Sequence, residues 1–258
     1  MDILRQLSEQ AKQTQVAVMA GGEGKRMGYI GVPKPLIELD GETLLARCIR
    51  YMARNGFEEF IVLTKFQEVA REAERLKAEG YNIRCSMDPP LRKVGKGKAL
   101  KHALETGALD PERRVFIVFP DDLFLDESLP LRFLSSHLEA VNRLGVWGSV
   151  AVTAGLQLPY GYVEIDSLSL ATSFKEKPIL PIHASTGLYI FEPQALRLLQ
   201  ETIDMNSDEA VEFENALLPR LAEKAKLHAF IVPRDAWLPV NTLKELEEAT
   251  KTLKTHSH

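Results

Sequence analysis

Val16-Ala17-Val18-Met19-Ala20 is an apolar run that leads straight into Gly21-Gly22-Glu23-Gly24-Lys25-Arg26-Met27-Gly28, and Pro33-Lys34-Pro35-Leu36 follows closely. An apolar run that ends in glycines predicts a buried β-strand followed by a tight loop. Glycines have no Cβ, so successive backbone N–H groups can turn inward and form an anion site, to which Arg26 and Lys34 add positive charge. The segment therefore predicts a loop that binds a polyphosphate. A glycine turn with incidental basic residues is the alternative.

The spacing of this loop excludes two common phosphate-binding motifs. In G-x-x-x-x-G-K-[ST], Met19 would replace the first glycine and Arg26 the serine or threonine. In the dinucleotide motif G-x-G-x-x-G, Gly22 and Gly24 would leave Met27 in the position of the third glycine. The sequence therefore gives little support to a Walker-type nucleotidase or a nicotinamide-dependent oxidoreductase.

The overall composition excludes several classes of protein. The chain has 258 residues, is 45% hydrophobic and carries a net charge of −4, with basic and acidic residues interleaved. That length permits one large α/β domain or two small ones, and the charge pattern leaves no broad electropositive face for a nucleic acid. Cys48 and Cys85 form no C-x-x-C pair, and no signal peptide or apolar stretch of roughly 18 residues is present. We therefore expect a soluble cytoplasmic protein with no nucleic-acid or membrane partner.

The order of the predicted elements is typical of an α/β protein. After the glycine loop the patterns predict helices over 42–55, 68–79 and 97–106 and strands over 60–63, 82–87 and 115–119. This alternation predicts a mostly parallel sheet with helices on both faces and a ligand crevice at the carboxyl ends of its strands. From about residue 148 the chain is richer in strands. There the patterns predict strands over 150–153, 162–165, 188–191 and 229–232 and helices over 193–201, 209–225 and 242–253.

Two adjacent carboxylates, Asp121 and Asp122, follow an apolar strand across Pro120. They and Gly21-Gly22 lie at strand carboxyl ends, so one crevice can contain both. A triphosphate site requires a hard cation such as Mg²⁺, which is bound through carboxylates and phosphate oxygens. The alternative is that Asp121 or Asp122 caps the turn that follows.

The loop G-G-x-G-x-R-M followed by P-K-P resembles that of the sugar-phosphate nucleotidylyltransferases, which join a nucleoside triphosphate to a sugar 1-phosphate and release pyrophosphate. The resemblance runs from about Val16 to Leu253. It implies a three-layer Rossmann-like nucleotide-diphospho-sugar transferase fold with a mostly parallel mixed sheet and a β-rich sugar-binding second half. It also implies a single nucleotidyltransferase domain over 1–258, with a helical extension (1–14), a nucleotide-binding half (16–145) and a sugar-phosphate-binding half (146–258).

The resemblance implies roles for individual residues, in motifs that include Y-G-x-V-E, E-K-P and the G-K-G-K-A-L turn. The nucleotide would be bound by Ala20, Gly21, Gly22, Gly24, Lys25, Gly95 and Lys96, the last in place of the family's threonine. The sugar phosphate would be bound by Gly161, Glu176, Lys177, Thr186 and Gly187. The catalytic residues would be Arg26, Lys34, Asp121 and Lys177. The cofactor would be Mg²⁺, held by Asp121 and Asn241 with support from Asp122.

Several alternatives stay open at the level of sequence. The segment Trp237-Leu238-Pro239-Val240-Asn241-Thr242 matches the family's G-V-N form rather than its acidic W-x-D form, and Asn241 or Thr242 is equally suited to cap the last helix. A GT-A glycosyltransferase could use Asp121 and Asp122 as its metal motif, although it has no use for a pyrophosphate loop. A non-catalytic nucleotide-binding relative would also fit a segment without an acid.

The first 14 residues carry an apolar helical stripe, formed by Ile3, Leu4, Leu7 and Ala11. Such a stripe suits packing on the domain or, in a homo-oligomer, on a second copy of the chain. A peripheral helix is the simpler interpretation.

Overall fold

A computed structural model describes residues 3–24 and 31–256 of the protein. Its helices are α1 (Ile3–Gln13), α2 (Leu44–Arg54), α3 (Gln67–Ala78), α4 (Gly95–Glu105), α5 (Leu129–Leu144), α6 (Pro193–Thr202), α7 (Phe213–Ala216), α8 (Leu218–Glu223) and α9 (Leu243–His256). Its strands are β1 (Gln15–Met19), β2 (Glu38–Leu39), β3 (Glu42–Thr43), β4 (Glu59–Thr64), β5 (Asn82–Met87), β6 (Val115–Val118), β7 (Asp122–Phe124), β8 (Gly148–Thr153), β9 (Leu156–Gln157), β10 (Tyr162–Ile165), β11 (Ala171–Lys175), β12 (Ile179–Leu180), β13 (Ser185–Phe191), β14 (Leu227–Val232) and β15 (Trp237–Pro239).

Strand β1 lies inside a seven-stranded sheet of order β14-β8-β13-β6-β1-β4-β5. It pairs in parallel with β4 and β6, in registers that place Val18 beside Val62 and Val118. Strand β13 runs antiparallel to both of its neighbours, β6 and β8, whereas β14 is parallel to β8 and β5 to β4. All strands of the sheet other than β13 therefore end at the same edge, and the chain segments that leave those ends are brought together.

Alternate residues of the central strands pack into two separate hydrophobic cores. Val16 and Val18 of β1 face the core formed with α1, α2, α3 and α5. Ala17 and Met19 face the opposite core, which is formed with α4, α6, α7 and α8. Since the strands are buried on both faces, they are apolar almost throughout, as parallel strands usually are. This arrangement confirms the predicted three-layer α/β fold with its mostly parallel mixed sheet.

A third, smaller core attaches the C-terminal helix near the ends of the strands. The residues buried there include Leu123 of β7, Val240 directly after β15, Ala249 of α9 and Leu44 at the start of α2. Strand β15 pairs antiparallel with β7, which places Pro239 opposite Asp122. The segment that follows β15 is thereby fixed next to the segment that follows β6.

The second half adds two small strand pairs beyond the central sheet. Strands β10 and β11 form an antiparallel hairpin with Tyr162 opposite Lys175, and β9 pairs with β12. Apolar side chains of the hairpin are largely exposed, among them Ile165, Leu168 and Phe174. The hairpin thus projects from the three-layer body.

The largest difference from the sequence analysis is α5, to which no predicted element corresponds. This helix buries Leu129, Phe133 and Leu134 against the sheet and ends at Gly145, whose φ of 63° is the left-handed conformation that glycine favours. A second difference is that the helix predicted over 209–225 is two short helices, α7 and α8. Pro219 in the first turn of α8 lacks the N–H that would continue a helix from α7.

The remaining sequence predictions agree with the structure within a few residues at each end. Cys48 lies in α2 and Cys85 in β5, and both are free thiols. No helix within residues 3–24 and 31–256 is long and apolar enough to cross a membrane.

A buried polar network crosses the sheet at the edge away from the glycine loop. His137 of α5 is fully buried, with Nδ1 2.7 Å from Ser149 Oγ and Nε2 2.8 Å from Glu192 Oε1. Glu192 also accepts a hydrogen bond from the Arg114 guanidinium. Burial lowers the pKa of His137 from its ordinary value, although Glu192 opposes this change. The neutral imidazole is therefore the form that the fold favours.

We predict that His137 makes the protein less stable in mild acid. A histidine whose pKa is lower in the folded state binds its proton more readily when unfolded, so the free energy of unfolding falls as pH drops below about 6.5 towards the folded pKa. Urea unfolding between pH 7 and pH 5 should show this loss in the wild type and a smaller slope in His137→Gln. Equal slopes in the two proteins would contradict the prediction.

Candidate active site

A cavity of about 870 Å³ opens at the carboxyl ends of β1, β4, β5 and β6. This is the edge at which α/β sheets usually bind their ligands. Residues from all these strand ends line it, together with the start of α4, the segment before α7 and the segment after β15. They include Gly21, Gly22, Gly24, Lys34, Lys65, Asp88, Gly95, Lys96, Phe119, Asp121, Asp122, Gly187, Tyr189, Glu212, Glu214 and Asn241.

Lys34 holds together segments that are far apart in sequence. Its ammonium group contacts the Asp121 carboxylate and donates a hydrogen bond to Asn241 Oδ1 at 3.1 Å. Lys34 is buried, and its backbone N–H donates to Gly22 O at 3.3 Å. A Cβ on Gly24 would lie 3.5 Å from Lys34 Cβ, and the φ of Gly24 is 69°. The glycine loop therefore packs along the lysine stem while the charged end faces two oxygen acceptors.

Asp121 and Asp122 have different partners, as expected for neighbouring side chains that point in different directions. Asp121 contacts Lys34, whereas Asp122 Oδ1 accepts a hydrogen bond from Trp237 Nε1 at 2.9 Å. Burial raises the pKa of Asp122 to about 8, and the nearby Asp121 carboxylate adds to the rise. Within the described ranges, neither carboxylate caps the turn that follows.

The Asp122 carboxylate occupies the space that a side chain at position 187 would need. A Cβ on Gly187 would lie 2.1 Å from Asp122 Oδ2, and the φ of Gly187 is 83°. Both the contact and the backbone conformation therefore require glycine at this position.

The last helix is capped by Thr242 rather than by Asn241. Glu245 N donates to Thr242 Oγ1 at 3.2 Å, and Glu245 Oε2 accepts from Asn241 N at 2.8 Å. Thr242 thus caps the helix through the Glu245 amide, and the Glu245 side chain reaches back to the residue before the cap. The side chain of Asn241 is left to face Lys34 and the cavity.

The turn predicted to bind the base lies at the start of α4. Gly95 has a φ of 72°, and a Cβ there would lie 2.6 Å from Val211 O. The Lys96 ammonium contacts Glu214, lies 3.5 Å from Glu212 and stands 5.3 Å from the centre of the Phe119 ring. The start of α4 is thus closely packed against the segment before α7.

The predicted sugar-phosphate residues are only partly brought to this cavity. Gly187 lines it, and the neighbouring Thr186 is buried and donates to Ala151 O at 3.0 Å. Gly161 and Glu176 lie together at one end of the β10–β11 hairpin, where Glu176 Oε2 would be 3.2 Å from a Cβ on Gly161. These two residues and Lys177 are not part of the cavity wall. Of the predicted nucleotide-binding and catalytic residues, Lys25 and Arg26 lie outside the described residues.

The sequence matches the nucleotidyl transferase family over residues 15–256. The chain belongs to this family. The match covers the glycine loop, both aspartates, the hairpin and the segment of Asn241, so the cavity of this nucleotidyl transferase is built from the matched region throughout.

Curated relatives of this nucleotidyl transferase act on different sugar phosphates and bases. It is 24% identical to a mannose-1-phosphate guanyltransferase of Saccharomyces cerevisiae over 90% of this chain and 63% of the relative. It is 26% identical to a glucose-1-phosphate adenylyltransferase of Halalkalibacterium halodurans over 92% of this chain and 65% of the relative. The chain thus spans less than two thirds of the length of these relatives.

The fold is also found among solved structures. The structure of a Bacillus anthracis protein assigned as a glucose-1-phosphate thymidylyltransferase superposes with a TM-score of 0.67, at 15% identity, over 93% of this chain and 94% of that one. At this identity the similarity concerns the fold.

The cavity wall contains residues that the sequence analysis did not select. Asp88 follows β5 directly, and Asp121 follows β6 after Phe119 and Pro120, so the position of Asp88 at a strand end was a usable signal. Lys65 follows β4 in the same way and forms an ion pair with Glu23 of the glycine loop. Glu212 and Glu214 carried no signal, because only the folded chain places them beside Lys96.

We predict that Thr242→Ala and Asn241→Ala will affect α9 differently. Removal of the cap oxygen should cost about 1 kcal/mol of helix stability and open the first turn of α9. Hydrogen exchange of the Glu245 amide should therefore become faster in Thr242→Ala and stay near the wild-type rate in Asn241→Ala. Equally fast exchange in Asn241→Ala would show that Asn241 serves the helix rather than the cavity.

Proposed function

We propose that this chain transfers a nucleotidyl group from a nucleoside triphosphate to a sugar 1-phosphate, forming a nucleoside diphosphate sugar and pyrophosphate. A phosphate oxygen of the sugar 1-phosphate forms the new bond to the α-phosphorus, and the bond from that phosphorus to the bridging oxygen of the β-phosphate breaks. Family membership and the activities of the relatives support this proposal. The observation that carries it is the convergence of Lys34, Asp121 and Asn241 beside the glycine loop.

Mg²⁺ fits the donors of this cavity. Asp121 offers a carboxylate oxygen and Asn241 an amide oxygen, and both already face a single cation, the Lys34 ammonium. In the part of the chain that the structure describes, no group of three or more His, Cys, Asp or Glu side chains is placed to hold a metal ion. Asp121 and Asn241 would therefore hold the ion together with triphosphate oxygens, which is how Mg²⁺ is usually bound. When bound, the ion neutralises negative charge on the triphosphate.

Lys34 would exchange partners when the substrates bind. Its stem lies along Gly22 and Gly24, whose backbone groups are proposed to hold the phosphates. The Lys34 ammonium would therefore lie beside those phosphates and is proposed to bind their oxygens. Lys25 and Arg26 are proposed to add charge at the same loop. Catalysis of this kind consists mainly of positioning and charge stabilisation and needs no side-chain nucleophile.

The sugar 1-phosphate is proposed to bind on the side of Gly187, with Glu176 and Lys177 supplied by the hairpin. Gly187 and Tyr189 line that side of the cavity. Lys177 has a φ of 46°, a conformation that is costly for a residue other than glycine and that clusters at functional sites. This strain supports a role for Lys177, although the residue stands outside the cavity wall.

Pyrophosphate release measured across a panel of triphosphates and sugar 1-phosphates tests the proposal. Release should require both substrates and a divalent cation, and Asp121→Asn should lower turnover by at least about a hundredfold because it weakens the charge that balances the cation. Asp110→Asn, at the opposite end of β6, is the matched control and should retain wild-type turnover. Release without a sugar 1-phosphate, or normal turnover in Asp121→Asn, would overturn the proposal.

The two substrates should respond to different lysines. Lys34→Ala should raise the KM for the triphosphate, whereas Lys177→Ala should raise mainly the KM for the sugar 1-phosphate. Steady-state kinetics with each substrate varied in turn distinguishes the two effects. If both variants altered only the sugar 1-phosphate KM, the proposed orientation of the substrates in the cavity would be wrong.

A further inference from the structure

The β10–β11 hairpin carries an apolar surface that the rest of the described chain leaves uncovered. In the register of the two strands Val163 lies opposite Phe174, and Ile165 lies two residues beyond Val163, so these three side chains share one face. Leu168 and Leu170, in the turn that joins the strands, are exposed as well. The exposed fractions run from 44% for Val163 to 77% for Leu168. These five residues are called the hairpin patch below.

The turn at the tip of the hairpin is ordered, although its two leucines are exposed. The Asp166 carboxylate accepts hydrogen bonds from Leu168 N at 2.8 Å and from Leu170 N at 2.9 Å. Asp166 N donates to Leu170 O at 3.0 Å, and Ser169 takes a left-handed φ of 64°. The backbone of both leucines is thus fixed before any contact forms, which reduces the entropy that an association would lose.

The hairpin receives little support from the body of the protein. Tyr162 and Ser173 are half-buried, and the other residues of both strands are exposed. A two-stranded hairpin is marginally stable in water unless it packs against another element, so an uncovered apolar face is a costly arrangement. At roughly 200 Å² for a fully exposed side chain of this size, the hairpin patch presents about 600 Å². Patches of that size usually mark an interaction site.

The charges around the hairpin patch indicate what covers it. Alternation along the strands places Glu164 and Lys175 on the opposite face, so the face of the patch carries no charged strand residue. Such a face offers nothing to a charged partner, but it is complementary to a second copy of itself. An anionic membrane is a poor fit because it requires basic residues, whereas Glu164 and Asp166 are acidic.

We propose that two copies of this chain pack their hairpin patches against each other about a two-fold axis. The pair buries about 1,200 Å² in total, which lies within the range of specific interfaces. Each copy supplies the apolar cover that the other hairpin lacks. The interface also fixes the positions of Glu176 and Lys177, which directly follow β11.

Sedimentation equilibrium tests the pair without reference to activity. At about 50 μM the wild type should show close to twice the 28.9 kDa mass of one chain, since interfaces of standard size have micromolar or tighter affinity. Leu168→Lys should raise the Kd of the pair at least about tenfold, because it places two like charges in the interface without partners. Leu144→Lys is the matched control. Leu144 is 65% exposed at the end of α5, and this variant should pair as the wild type does.

A mixture of two charge variants tests the face-to-face arrangement directly. Ile165→Lys and Ile165→Glu alone should each raise the Kd of the pair at least about tenfold, because like charges then meet across the axis. An equal mixture of the two at low salt should recover the mass of the pair, because opposite charges then face each other. Recovery would also show that both variants are folded.

Three results would overturn the proposal: a wild type that remains a single chain at that concentration, an equal loss of the pair in Leu144→Lys, and a mixture that stays as single chains. Binding of single chains to vesicles of phosphatidylcholine and phosphatidylserine would also overturn it, by assigning the hairpin patch to a membrane.

Pyrophosphate release gives a second readout, which rests on the proposed function. Loss of the pair in Leu168→Lys should raise the KM for the sugar 1-phosphate at least about threefold and leave the KM for the triphosphate unchanged, because Glu176 and Lys177 depend on the hairpin. If the pair is lost while both KM values stay unchanged, the link to the site fails and the interface stands. If the wild type releases no pyrophosphate, the proposed function fails and sedimentation still decides the interface.

Discussion

The contact of the Lys34 ammonium with Asp121 and Asn241 is the interaction around which the cavity is organised. It joins the segment after the glycine loop, the end of β6 and the segment after β15. Placing a charge in a buried position is costly unless opposite charge and hydrogen-bond acceptors surround it. Lys34 meets that condition with one carboxylate and one amide oxygen, while Asp122 behind them has a raised pKa and a bond from Trp237. The site can thus hold a single positive charge between two fixed oxygens.

The sheet supplies the rigidity that this arrangement needs. Its parallel strands end at one edge, where they are followed by the glycine loop, Lys65, Asp88 and Asp121. The spacing between strands therefore sets the distances along the cavity. Antiparallel β13 brings Gly187 to the same place from the opposite direction, and the pairing of β15 with β7 delivers Asn241. The third core, with Val240 fully buried, fixes the last of these segments. Side chains from distant parts of the sequence therefore meet with little freedom.

Much of the fold and of the cavity could be predicted from the sequence, because both depend largely on local sequence patterns. The buried strands read as continuous apolar runs, and the glycine loop and the two aspartates stood at strand ends. Helix α5 was not predicted, although it buries Phe133 and Leu134. The segment before α7 was wrongly predicted to be helical, because its conformation depends on contacts with α4. There the fully buried Lys98 contacts Ser207 O, and Gly97 N donates to Val211 O at 2.8 Å. The choice between Asn241 and Thr242 as helix cap also required the folded chain, since both residue types cap well. The placement of Glu176 and Lys177 outside the cavity wall depends on the hairpin, whose orientation no local pattern encodes.

Direct measurement of metal binding in the absence of nucleotide tests the central claim that Lys34 and a divalent cation compete for Asp121 and Asn241. Mn²⁺, followed by electron paramagnetic resonance, can serve as the probe for the wild type, Lys34→Met and the control Lys65→Met, which removes a different cavity lysine. The account predicts that Lys34→Met binds Mn²⁺ at least about tenfold more tightly than the wild type, because removing a cation a few ångströms away lifts its repulsion of the metal and frees both oxygens. Lys65→Met should bind Mn²⁺ as the wild type does. Unchanged or weaker binding in Lys34→Met would contradict the account.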